Sequence, residues 1–431
     1  MVVPQLASRP QAAQVRRARN ATGVAFLASG FAFASWAARI PQVRMRLDVA
    51  PGVLGLILLC IAIGSAVSIP LAGVVIVRIG EARTVTITSL IAAAGLAAVA
   101  VGYTHGIPPV AVGLFLFGFG SGAWDVAMNV QGATVEQAIG RSVLPRMHAG
   151  WSIGTVAGAA AGTVMVAAHV PVTADLLAVA AVTAIAVPVA TRSFLPHAPP
   201  HREPRPRREP QSRSEPGRRR EPGQRREAGR RGGVLEAWTE RRTLLIGLFV
   251  LCVSVIEGVG NDWLSLGVIQ GYRVPPAVGT ATFATFLAAM TAARWFGPRL
   301  IDQYGRVPVL RTAAAVALAG LLLLSLSGFL PAAFIGAALM GLGTALGFPV
   351  GLSATADDPA RAAGRVSAAS SLGYAAFLAG PPAIGFIADH AGVLHALACA
   401  GALLLAALFL CSATAPLTPG PLAPGSPGPD S

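Results

Sequence analysis

The chain has 431 residues, 54% of them hydrophobic and only 12% charged, with a mean hydropathy of +0.63. Soluble domains carry about 25% charged residues, so the composition excludes an ordinary soluble fold and indicates a polytopic membrane protein. The net charge of +14 would suit a nucleic-acid binder. Here the basic residues are all Arg and flank apolar runs, so membrane topology accounts for them first and no nucleic-acid partner is expected.

A membrane-crossing helix needs about 20 predominantly apolar residues, and the chain offers twelve such runs. In the first half they fall at 21–40, 52–73, 84–103, 109–131, 148–168 and 174–192. In the second half they fall at 243–266, 276–296, 309–328, 331–353, 366–388 and 393–412. Residues 1–20, with Arg16, Arg17 and Arg19, read as a short cytoplasmic segment. The apolar run after them is too long for a signal peptide and is taken as an uncleaved first span.

Between the halves lies 193–242. From His197 to Arg242 it holds fourteen Arg and seven Glu, with Glu203, Glu209, Glu215, Glu221 and Glu227 spaced six apart. Such a segment cannot bury enough apolar surface to offset its ordering entropy, so it is expected to be a disordered cytoplasmic linker. The Pro- and Gly-rich tail, 413–431, is expected to be disordered as well. With the N-terminus inside, the outer loops hold only Arg39, Arg44, Arg46 and Arg273. The positive-inside rule then places both termini and the linker in the cytoplasm.

The four Cys (Cys60, Cys252, Cys399 and Cys411) lie in apolar runs without CxxC or Cys/His spacing, so neither a metal site nor a disulfide framework is indicated. No phosphate-binding Gly-x4-Gly-Lys-Ser/Thr loop occurs, and no nucleophile–base pair lies at one depth. ATP-driven transport and membrane enzymology are therefore not expected, and no cofactor is implied.

The halves repeat each other. Trp36 and Arg46 match Trp263 and Arg273 at an offset of 227; Gly118 and Gly120 match Gly341 and Gly343 at 223; Gly140-Arg141 matches Gly364-Arg365 at 224. Two six-span repeats joined by a cytoplasmic loop are a transporter architecture with its site between them. A paired loop motif follows spans two and eight: Gly73, Arg78 and Gly80 in the first copy, with Val77 at the acidic position, and Asp302, Gly305 and Arg306 in the second.

These features together resemble the major facilitator superfamily over nearly the whole chain. The stretches from Trp124 to Gly154 and from Glu257 to Trp263 look more narrowly like its YbjJ-like bacterial branch. The resemblance implies an all-α membrane fold of two pseudo-symmetric six-helix bundles. It also implies that spans one, four, seven and ten line the cavity and that every third span is peripheral. Leu114, where drug antiporters of the family carry Arg, and the lack of Gly-Pro in span five depart from the drug/proton antiport pattern.

Ionisable groups at membrane depth are costly and usually face a cavity or a partner. Spans three, six, nine and twelve carry none in their interiors, whereas spans one, four and seven do. On span four, Asp125, Asn129 and Glu136 share a helical stripe. Asp125 reads either as a proton-titrating or substrate-binding carboxylate or as an interhelical hydrogen bond. Glu136, near Arg141, reads as a cytoplasmic ion pair.

On span seven, Glu257 is the deepest acid and the leading coupling candidate, with a structural pair to an Arg or Asn as the alternative. Asn261 lies on its face and Asp262 nearer the outside. Arg39 stands level with Asp262, so the two are expected to pair across the halves or, alternatively, Arg39 snorkels to headgroups. Trp151 is a candidate stacking platform, while Trp36 and Trp263 read as interfacial anchors. Gly150, Gly154, Gly158 and Gly162 form a small-residue stripe for close packing. Arg365, like Arg141, is assigned to a cytoplasmic gate.

The expected function is secondary active transport of a small polar or amphipathic solute across the bacterial cytoplasmic membrane by a proton-coupled monomer. Import of a sugar-like solute and export of a metabolite or drug both remain open. A receptor or scaffold whose Arg-rich segment binds anionic membrane lipid is the alternative from another class.

Overall fold

The computed structural model describes residues 12–140, 143–196, 236–358 and 361–417. Most of the linker, both chain ends and Arg141 therefore lie outside the described residues. The described residues contain twelve helices long and apolar enough to cross a membrane. The first half comprises α1 (Ala12–Leu47), α2 (Pro51–Ile79), α3 (Glu81–Gly102), α4 (Ile107–Ile139), α5 (Leu144–Ala167) and α6 (Val172–Thr191). The second comprises α7 (Arg241–Tyr272), α8 (Pro276–Tyr304), α9 (Arg306–Leu326), α10 (Leu330–Thr355), α11 (Ala362–Ala391) and α12 (Val393–Leu410).

The helices begin and end where local chemistry dictates. Pro lies at the first or second position of α2, α4, α5, α8 and α10, where its missing N–H costs nothing. Gly80 and Gly305 close α2 and α8 with φ of 81° and 83°, a left-handed backbone that only Gly adopts without strain. Each donates its N–H to the carbonyl four residues back, Ile76 and Ile301 respectively, so both copies of the loop motif make the same turn.

The internal repeat is visible in the packing. In the first half α4 packs on α2 and α3, α5 on α1, and α6 on α1 and α3; in the second α10 packs on α8 and α9, α11 on α7, and α12 on α7 and α9. The paired glycines explain the approach. A Cβ on Gly118 would strike the α2 backbone at Ile61 and one on Gly120 would strike α3 at Thr88 and Ala92. Their counterparts Gly341 and Gly343 meet α8 at Phe286 and α9 at Ala313. The stripe on α5 packs on α1, with Gly154 against Leu27 and Gly158 against Phe31, so it serves helix packing as expected.

Several expectations are corrected. Trp36 and Trp263 are each 1% exposed and belong to the core, not to an interfacial belt. Order extends into the segment read as linker: Phe194, Leu195 and Ala237 are buried, and Arg242 already lies in α7. At the other end Cys411–Thr414 forms a 3-10 turn with Thr414 buried, so the tail is ordered past its expected start. The short cytoplasmic segment is helical from Ala12, and α1 is correspondingly longer than its apolar run.

Candidate functional site

The halves meet where α2 packs on α11, α5 on α8 and α1 on α7. At the end far from the termini, α2 and α11 touch backbone to backbone. A Cβ on Gly55 would strike the carbonyl of Pro381, and one on Gly385 would meet that of Pro51. There the Gly52 N–H donates to Asp389 Oδ1 at 2.9 Å, so a carboxylate of one half caps a helix start of the other.

Beneath this contact lies a cavity of about 550 Å³ bordered by α1, α2, α7 and α11. Phe33, Ser65, Asn261, Asp262, Tyr374 and Phe377 are among its lining residues. The expected lining by spans one, four, seven and ten is thus corrected in part: α2 and α11 join α1 and α7 around this cavity, and no residue of α4 or α10 is among its lining. Asp125 on α4 is exposed, but it is not among the residues that line this cavity. Asn129 Nδ2 donates to the Asp125 carbonyl at 2.9 Å and to its Oδ1 at 3.3 Å, which bears out their shared stripe.

On the other side of the cleft stands a cluster that spacing alone did not assemble. Arg294 Nη2 donates to Glu257 Oε1 at 2.7 Å, and its guanidinium lies 5.9 Å from the Trp151 ring centroid across the interface. Trp151 in turn stacks on Phe33, with centroids 6.5 Å apart. Thr291 Oγ1, already bonded to Leu287, also approaches the Ser152 carbonyl of the first half at 3.4 Å.

Arg294 is further held by a break in α10. Pro349 has no N–H to offer the Ala345 carbonyl four residues earlier, and the helix is interrupted at Ala345 and Leu346. That free carbonyl accepts from Arg294 Nε at 3.4 Å. Non-helical backbone at membrane depth is tolerated where it is buried in protein or lines a cavity. Arg294 was missed because it lies near the end of its apolar run, and Pro349 was the signal that could have pointed to the break.

The expected Arg39–Asp262 pair is not formed. Arg39 is 2% exposed and bonds Asp175 in the first turn of α6, Nε to Oδ2 at 2.6 Å. Snorkelling is excluded by the same burial, and α6 is not free of buried charge. Asp262 instead borders the cavity and has neither ion pair nor hydrogen bond among the described residues.

At the terminal end, Glu136 Oε2 accepts from the N–H groups of Val143 and Leu144, at 2.7 and 2.9 Å, and so caps α5. Arg141, its expected partner, lies outside the described residues. Gly73 has open space around it, Arg78 is exposed, and Asp302 is exposed at the end of α8. Arg306 bonds Asp357 rather than the motif's own Asp302, at 2.7 Å, and Asp357 also binds Arg242 at 2.9 Å. Arg365 holds Glu240 through Nε and Nη2, both at 2.7 Å. These ion pairs tie together elements of the second half; none of them crosses to the first.

Two parallel six-helix repeats enclosing a charged cavity, sealed at one end and containing a broken helix, define a secondary-transporter fold. The model of the Major Facilitator Superfamily matches residues 21–275, and the chain belongs to that family. It is 31% identical over 370 residues to the uncharacterized transporter y4wD of Sinorhizobium fredii, spanning 85% of this chain and 90% of that one. An uncharacterized MFS-type transporter of Yersinia pestis is 28% identical over 388 residues, spanning 89% and 92%. Among solved structures, a mutant of the nucleoside transporter NupG superposes with a TM-score of 0.72 at 14% identity, over 92% of this chain and 99% of the other. The protein is therefore a multi-pass membrane transporter, not an enzyme.

Proposed function

We propose that the protein moves a small polar or amphipathic solute across the bacterial cytoplasmic membrane by alternating access, coupled to protons. The observation that carries this reading is the cavity between the halves, sealed at one end by the α2–α11 contact, with Asp262 on its lining and Glu257 next in sequence to Gly258, which also lines it. With the Arg-derived orientation, the sealed end is external and the arrangement faces inward.

Glu257 is the coupling carboxylate in this reading. Protonating it removes its charge from Arg294, which frees the guanidinium to re-pair. Because Arg294 also lies over Trp151 of the other half, the change is transmitted to the interface that must rearrange. Asp125 and Asn129 serve the inner mouth. Arg306, Arg365, Glu136 and the loop glycines brace the cytoplasmic ends of the two rigid halves.

The test is flux into proteoliposomes with a solute panel, with and without a proton gradient, for wild type and Glu257→Gln. Wild type should accumulate its solute only with the gradient. The variant should retain exchange but lose accumulation, and gradient-driven uptake at the full rate would remove Glu257 from coupling.

A further inference from the structure

We propose that the solute recognised in the cavity is an organic cation, a protonated amine on an apolar or aromatic body, held by Asp262. This deepens the transport reading and rests on it. Among the described residues, Asp262 is the sole acidic side chain bordering the cavity, and no Lys, Arg or His borders it. Two other deep carboxylates have a guanidinium, Glu257 with Arg294 at 2.7 Å and Asp175 with Arg39 at 2.6 Å, while Asp125, which does not line the cavity, has Asn129. Asp262 has none among the described residues. A carboxylate in a poorly hydrated site without a partner is costly and keeps its charge only against a counter-charge, which here has to arrive from outside the protein.

The neighbouring polar groups point to the same chemistry. Ser65 Oγ donates its proton to the Gly118 carbonyl, and Ser371 Oγ donates to that of Ser367, each at 2.9 Å. Both hydroxyls border the cavity with only acceptor capacity left. The buried Oδ1 of Asn261 has no donor either. A ligand that matches the Asp262 carboxylate and the two Ser acceptors brings N–H donors, as an ammonium does. A carboxylate would meet the like charge of Asp262 with no cation in the lining to offset it, since Arg294 is engaged by Glu257 and the Ala345 carbonyl and does not border the cavity. Phe33, Tyr374 and Phe377 supply ring faces, which attract a cation and pack an apolar body.

The test measures binding to the purified full chain by calorimetry and ligand-induced thermal shift. The probes are 2-phenylethylammonium, cyclohexylammonium and glucosamine, each against its neutral alcohol or sugar counterpart, with 3-phenylpropanoate as the anion. At least one ammonium should bind tenfold or more tighter than its neutral counterpart, a difference of about 1.4 kcal/mol. Asp262→Asn should abolish that preference and Asp262→Glu should keep it.

Equal binding of neutral probes, preference for the anion, or no ammonium binding at millimolar concentration overturns the proposal. So does an Asp262→Asn protein that keeps the preference, or one in which only the pH profile changes. Should Asp262→Asn fail to fold, the wild-type panel and Asp262→Glu decide alone. Counterflow in proteoliposomes separates the two readings. Ammonium binding without counterflow leaves the site standing and sinks transport, whereas counterflow of a neutral solute alone leaves transport standing and sinks the cation.

Discussion

Arg39 and Asp175 illustrate what an ion pair does when it is removed from water. Both are buried, and a guanidinium left behind by Asp175→Asn would have no counter-charge. That variant should lose about 3–5 kcal/mol of stability, whereas an Arg39→Met, Asp175→Leu double variant should recover most of it. Thermal melts in detergent check this; equal stability of the single and double variants would contradict it. Glu240 behaves differently because it is outside the spans and 29% exposed. Burial pushes its carboxyl up, but hydrogen bonds from Arg365 and Thr243 outweigh that and hold it below the ordinary value. A depressed carboxyl contributes stability above its unfolded value, near pH 4.3, and loses it as the pH falls through the folded one. The difference in melting temperature between wild type and Glu240→Gln should therefore shrink on acidification below about pH 4. At this scale the acids of spans four and seven were legible, because a carboxylate inside an apolar run is visible by itself; Asp175, at the edge of the sixth run, was passed over. Their partners were not. Asp175 is 136 residues from Arg39, and no spacing rule links α1 to α6.

Helices carry the next level of the account. Where α1 and α5 approach, space for a side chain is absent: Gly154 meets the Leu27 carbonyl and Gly158 that of Phe31. Gly158→Val should force these backbones apart and cost on the order of 1–3 kcal/mol, as overpacking does. A Gly140→Ala control meets no neighbour but has φ of 73°, so its cost would come from backbone strain instead. Pro349 makes a separate prediction. Pro349→Ala supplies the missing N–H to Ala345, straightens α10 and withdraws the carbonyl that Arg294 uses. Gradient-driven flux should fall several-fold with little loss of thermal stability; unchanged flux would separate the break from the Glu257–Arg294 cluster. The twelve spans were readable because each must satisfy its backbone internally and show an apolar surface. The interruption of α10 was not, since a Pro in an apolar helix permits a kink, a break or neither, and neighbours decide which.

For the whole molecule, the duplication is the main organising fact. It was legible in matched glycines and tryptophans at nearly one offset, and the packing of α2–α4 repeats in α8–α10. How the halves stand against each other was not legible, because that depends on which of two mutually exclusive contacts is made. Here the α2–α11 contact is made at the end far from the termini. Alternating access requires that it break while the opposite end closes. Pulsed electron–electron resonance on reconstituted protein measures this without knowledge of the substrate. One spin-label pair sits at exposed Ala50 and His390 at the sealed end, and another at Val77 and Arg361 at the end bearing the termini. Each pair should show a short and a long distance, with lower pH shifting the two ends in opposite directions. A single, pH-independent distance at both ends would contradict a transporter that works by rocking one half against the other.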